Sequence, residues 1–121
     1  MEYIGVDIIE IDRIQKATQR WGETFLRRVF TPLELESYRR KYSSLAARFA
    51  AKEAVLKALG ACDTGIGWQD IEILTEQNGQ PVVKLFGKAE EAARVLAISK
   101  LTVSLSHSRQ YAVAFVMGVT M

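Results

Sequence analysis

The 121 residues hold a single cysteine and two prolines, and no apolar stretch approaches the roughly 20 residues that a membrane-spanning helix needs. With one thiol, Cys62, no internal disulfide can form. Glu2, Asp7, Glu10 and Asp12 stand where a secretory signal would carry positive charge followed by an apolar run. These absences predict a reduced, cytoplasmic protein without a membrane span. A dominant charge is also missing: 16 Lys and Arg against 14 Asp and Glu leave a formal +2, too small an excess to argue for nucleic-acid binding. What is present, 49% hydrophobic and 25% charged residues, excludes disorder and collagen-like structure and suits one globular domain over residues 1–121. A chain this short buries one core but no deep enclosed site, so an active site is expected to borrow walls from a neighbouring copy.

Tyr3 to Ile8 reads as a largely buried strand, apolar apart from Gly5 and Asp7. From Ile11 the period changes, and Ile11, Ile14, Trp21 and Phe25 fall on one helical face, with Gly22 bending or breaking the helix. Thr31-Pro32-Leu33-Glu34 supplies a cap, a proline at the first helical position and an acid in the first turn, predicting a helix to about Lys41. Ser44 repeats the cap before a second helix, rich in alanine and leucine, that runs to Leu59 and stops at Gly60. After a loop from Gly60 to Gly67, Ile71 and Ile73 alternate with Glu72, Asn78-Gly79 forms a tight turn, and Val82, Val83 and Leu85 return as a strand. Lys88 to Leu96 is helical, and strands follow at Leu101 to His107 and from Tyr111. The expected class is α+β, with helices packed on one face of a mostly antiparallel sheet.

Four features bear on chemistry. Asp7 is a carboxylate inside an apolar strand, which must be paired, bound to a cation or set to cap the helix beginning near Ile9. Glu53 has Lys57 four residues on, the spacing of a surface ion pair, yet alanines surround both and let other backbone approach closely. A carboxylate from a strand and one from a helix would suit magnesium, which takes one or two protein carboxylates and completes its shell with water and phosphate oxygens. His107, the only histidine, ends a strand, where structural and ligand-binding roles are both open. Arg13, Lys16, Arg20 and Arg27 face away from the apolar stripe with few acids nearby, forming a basic row that would steer an acidic partner helix.

The segments IGVDIIEIDRI, FTPLELE, ARFAAKEAVLKALG and SLSHSRQYAVA, in that order, resemble the holo-acyl-carrier-protein synthases, the small class of 4′-phosphopantetheinyl transferases. The resemblance spans nearly the whole chain and implies their fold. It implies transfer of the 4′-phosphopantetheine moiety from coenzyme A to a serine of apo acyl carrier protein, in support of fatty acid biosynthesis, with adenosine 3′,5′-bisphosphate as the other product. Asp7 and Glu53 would hold Mg2+ on the pyrophosphate of coenzyme A, Lys57 would meet phosphate, and these three form the catalytic set. His107 would lie by the coenzyme phosphates, Asn78, Gly79 and Pro81 by the adenine, and Gly60 in the coenzyme-binding loop. Arg13 and Arg20 would grip the acidic helix of the carrier protein. The proton acceptor stays open between water on the metal and Glu53. A homotrimer with each site between two subunits is implied as well. Ala61-Cys62-Asp63, between Gly60 and Thr64-Gly65-Ile66-Gly67, departs from the commoner family pattern. The alternatives are a transferase for a polyketide or peptide carrier domain, and a non-enzymatic adaptor that docks an acidic protein.

Overall fold

A computed structural model describes residues 1–60 and 65–120. In chain order the elements are β1 (Glu2–Glu10), α1 (Ile11–Trp21), α2 (Glu23–Val29), α3 (Pro32–Tyr38), α4 (Tyr42–Ala58), a short 3-10 turn (Trp68–Asp70), β2 (Ile71–Thr75), β3 (Pro81–Leu85), α5 (Gly87–Val95), β4 (Ile98–His107) and β5 (Tyr111–Thr120). The class is α+β, as expected, and every strand pairing is antiparallel. The strands divide into a three-stranded sheet, ordered β1-β5-β4, and the β2-β3 hairpin, whose β3 lies beside β4.

The long helix α4 crosses β1 and β5 on one face of the larger sheet. Its alanines make this approach close: Ala46, Ala50, Ala51 and Ala54 are fully buried. Gly5 completes the fit, since a Cβ there would stand 1.8 Å from the backbone oxygen of Ala54. The strand backbone therefore rests directly on the helix backbone, and no larger residue fits at Gly5.

The helix signals hold with shifted ends. Gly22, at φ +58°, ends α1 and turns the chain into α2. Thr31 and Glu34 form a reciprocal capping box at α3, which stops at Tyr38 instead of near Lys41. The start of α4 is Tyr42, not Leu45, so Ser44 lies inside the helix and caps nothing. Tyr42 packs against the core, and that tertiary contact extends the helix past the local cap signal. Gly60, at φ +64°, terminates it as expected. Trp21 is a correction: it is 58% exposed and stands off the stripe on which Ile14 is buried.

A buried polar network ties α3, α4 and β2 together. Glu34, fully buried, accepts from the backbone N–H groups of Thr31 (2.9 Å) and Ile73 (2.7 Å), and pairs with Lys52 Nζ at 2.8 Å. Lys52 donates also to the carbonyls of Trp68 and Ile71, which uses all three ammonium protons. Burial pulls the Lys52 ammonium below the usual lysine range, opposed by the charge and hydrogen bond of Glu34 and by the charge of Glu72.

Candidate active site in two halves

The first half is built where α4 crosses β1. Tyr3, Gly5, Asp7 and Ile9 alternate toward the helix, which puts the Asp7 carboxylate over the turn carrying Glu53 and Lys57. Lys57 Nζ donates to Asp7 Oδ1 at 3.1 Å and to the carbonyl of Val6 at 3.0 Å. The Asp7 side chain is only 19% exposed, that of Lys57 53%. Burial holds the Glu53 carboxyl above its ordinary range, and the negative charge of Asp7 adds to this; Lys57 and Arg13 act in the opposite direction. Four charged groups from β1, α1 and α4 thus share one neighbourhood, with Gly60 one turn beyond, its N–H bonded to the carbonyl of Lys57.

Both simpler readings of these carboxylates fail. Asp7 does not cap α1, because β1 continues to Glu10, which occupies the cap position without a side-chain bond. Among the described residues Lys57 pairs with Asp7 across the crossing and not with Glu53 along the helix. Two oxygen ligands of like charge at a partly buried crossing fit a hard divalent cation such as magnesium, which would relieve their repulsion and take its other ligands from water and phosphate. Among the described residues no group of three or more His, Cys, Asp or Glu stands ready to hold a metal ion, so water and phosphate would have to supply most of its shell.

The second half lies at the other edge of the sheet. Asn78 and Gly79 form the β2-β3 turn, with Gly79 at φ +87° and Asn78 Oδ1 accepting from the N–H of Gln80 at 3.0 Å. Gly79, Gln80 and Pro81 line an open pocket of about 550 Å³ together with Arg48, Thr75 and residues 102–105 of β4. Arg48 went unassigned in the sequence although it stands in the ARFAAKEA string; its neighbours in the pocket come from segments far apart in the chain. His107 ends β4, exposed, on the same face of the sheet as Asp7. The two are not brought together: β5 lies between β1 and β4, an offset of about 10 Å at the usual strand spacing. Within one chain Asp7, Glu53, Lys57 and Gly60 form one group; Gly79 and Pro81 line the pocket at the other edge with Asn78 in the adjoining turn, and His107 stands at the end of β4 outside that lining.

Arg13 and Arg20 are exposed on α1, and among the described residues neither has a carboxylate partner. The expected single-signed row is shorter than the sequence suggested. Lys16 pairs with Asp12 at 2.9 Å, and Glu23 takes both Arg27 and Arg39. The Arg20 guanidinium lies 4.8 Å from the Trp21 ring centroid, so the exposed surface joins cations to an aromatic face. The Ala61-Cys62-Asp63 departure, including Cys62, lies outside the described residues.

Residues 3–116 match the 4′-phosphopantetheinyl transferase superfamily. The chain belongs to that superfamily. A holo-acyl-carrier-protein synthase of Dehalococcoides mccartyi strain CBDB1 is 51% identical over 118 residues, covering 98% of both chains. One from Herpetosiphon aurantiacus is 48% identical over 122 residues, covering 95% of this chain and 96% of its own. Among solved structures, the Helicobacter pylori holo-acyl-carrier-protein synthase in complex with coenzyme A superposes with a TM-score of 0.86 at 34% identity, over 96% of this chain and 99% of that one. The Neisseria meningitidis synthase superposes with a TM-score of 0.88 at 30% identity, over 98% of each. This phosphopantetheinyl transferase scaffold accordingly carries a facing carboxylate pair at one sheet edge and a turn-lined pocket at the other.

Proposed function

We propose that this chain transfers the 4′-phosphopantetheine moiety of coenzyme A to a serine of apo acyl carrier protein, releasing adenosine 3′,5′-bisphosphate, in cytoplasmic fatty acid biosynthesis. The carrying observation is the crossing of β1 and α4, which sets Asp7 and Glu53 beside Lys57 in a chain about half identical to holo-acyl-carrier-protein synthases over its whole length. In the transfer, the serine oxygen bonds to the β-phosphorus, the bond from that phosphorus to the bridging oxygen breaks, and the bridging oxygen leaves on the adenosine bisphosphate. Such reactions ask for positioning and charge neutralisation more than for covalent help.

Asp7 and Glu53 would hold Mg2+, which supplies charge neutralisation on the pyrophosphate when bound. Lys57 places a mobile cation at the same point, free to exchange its bond with Asp7 for one with phosphate oxygen. The serine proton would pass to water on the metal or to Glu53, the two acceptors within this half-site. Arg13 and Arg20 would dock the acidic helix of the carrier. Asn78, Gly79, Pro81 and His107, with Arg48, would take the nucleotide end of coenzyme A.

That nucleotide subsite and the carboxylates lie on opposite edges of one sheet, which supports a complete site formed between two copies. The uncovered sheet face supports the same conclusion. Ile4, Val6 and Ile8 of β1 are each more than half exposed, and Val6 stands opposite Phe115, itself exposed. An apolar face of this kind supports association with further copies, which in this reading would form a homotrimer. The deciding experiment mixes the protein with coenzyme A, magnesium and apo carrier protein and weighs the carrier. A gain of one phosphopantetheine that requires magnesium is expected; stable docking without modification would support an adaptor and overturn the proposal.

A further inference from the structure

Lys52 is fully buried, and the proposed transfer gives it no task. It stands next to Glu53 in α4, but one step of about 100° around the helix turns it away from β1 and toward β2. Its Nζ lies 2.8 Å from Glu34 Oε1 and donates to the carbonyls of Trp68, at 3.0 Å, and Ile71. Glu34 Oε2 in turn accepts from the N–H of Ile73 at 2.7 Å. Among the described residues β2 has β3 as its one strand partner. The other edge of β2 is therefore bonded to an ion pair in place of a strand, and the pair hangs the base of the hairpin from α3 and α4. A buried pair adds little net stability, because desolvating both charges offsets most of their attraction. Its effect is geometric: a slip of β2 by one residue, about 3.3 Å, would break the bonds to Trp68, Ile71 and Ile73 together.

We propose that Lys52 and Glu34 are positioning residues that fix the β2-β3 hairpin on the fold so that its turn meets the nucleotide end of coenzyme A. The inference rests on the function proposed above, in which Asn78, Gly79 and Pro81 take that end. These three stand at the tip of the hairpin, whereas the ion pair grips its base, so any tilt allowed at the base is magnified at the turn. In a site shared between two copies, the tip has to be correct relative to its own fold before a coenzyme held by the other copy can reach it. A hairpin that wanders would be competent for only part of the time, and apparent affinity falls by that fraction.

The test compares steady-state transfer by the wild type and by Lys52→Met/Glu34→Gln, a pair that leaves neither partner's charge stranded, at a temperature where thermal unfolding shows both folded. KM for coenzyme A is expected to rise roughly tenfold in the double variant, as for a hairpin in place about a tenth of the time. KM for the carrier and kcat at saturating coenzyme should hold. Calorimetry with adenosine 3′,5′-bisphosphate, which carries the nucleotide end alone, should show the same loss of affinity without any transfer. A purely structural pair would lower the amount of active protein and leave KM and the bisphosphate affinity unchanged, and that result overturns the inference. Should the double variant fail to fold, Glu34→Gln alone carries the test: it keeps an oxygen for Lys52 and takes one from Ile73, so KM for coenzyme A should rise about threefold, the worth of one hydrogen bond. An unchanged KM there overturns the inference equally. Wild-type protein that transfers nothing instead sinks the function on which the inference rests.

Discussion

Replacing Gly5 with alanine tests the crossing that builds the first half of the site. The added Cβ would stand 1.8 Å from the oxygen of Ala54, 2.8 Å from its carbonyl carbon and 2.9 Å from the N–H of Ala58. All three are backbone atoms of a helix, so none can rotate aside. Relieving the contact requires β1 and α4 to part by about 1.5 Å locally, and overpacking of this kind costs about 1–3 kcal/mol or more. Asp7 travels with the strand and Glu53 with the helix, so the two carboxylates lose their spacing; a misplacement near 1 Å lowers turnover by about 100-fold. Urea denaturation should show a lower midpoint with an unchanged m-value, and transfer at a temperature where the variant stays folded should show the drop in kcat. Gly118→Ala is the control, because its Cβ would meet the side chains of Leu101 at 3.0 Å and Ile98 at 3.3 Å, which can move. Gly5→Ala protein with wild-type stability and turnover would refute the close backbone contact and the carboxylate geometry derived from it.

Glu53→Gln separates stability from activity. Because the folded-state carboxyl sits above its unfolded value, Glu53 opposes folding as pH rises from the ordinary carboxyl range through the raised one. Magnesium-free Glu53→Gln should therefore unfold at a higher temperature than wild type at pH 7, with the gap closing near pH 4, and calorimetry showing the reverse order would refute this. Added magnesium should raise the melting temperature of wild type and not of the variant. Arg20→Glu should raise KM for an acidic carrier by roughly tenfold and flatten its salt dependence while KM for coenzyme A holds; Arg13→Glu, beside Glu53, should lower kcat as well. Lys52→Met strands the Glu34 carboxylate in the core, and chemical denaturation should record a loss of about 3–5 kcal/mol. A loss below about 1 kcal/mol would show that the buried pair does not hold α3, α4 and β2 together.

Features set by neighbours in sequence were legible before the fold was known. Asn78-Gly79 names its own turn, Thr31 and Glu34 name their own cap, and the alanines around Glu53 announce that something approaches closely. What approaches is β1, and Gly5 was the remaining signal, a glycine in the middle of an otherwise apolar strand. Trp21 misled because periodicity describes a continuing helix, and Gly22 ends this one before its last turn reaches the core. The division of the site was hidden for a different reason. Asp7 and His107 each read as strand residues, but which strand lies between them is a matter of pairing over long distances, with no local trace. The Lys52 anchor, drawn from α3, α4 and β2, was invisible for the same reason.

The order β1-β5-β4 also bears on how the protein comes into being. The strand that carries Asp7 has β5 as its one strand partner among the described residues, roughly a hundred residues later, so its ladder waits on the ribosome until nearly all of the chain has emerged. Until then its apolar side chains, Ile4, Val6 and Ile8, belong to an unpaired strand with nothing beside it, a sticky segment for which early release is a hazard. A nascent or truncated chain cannot hold the carboxylate pair at its working distance. The proposed magnesium site would thus be complete only once the final strand is in place.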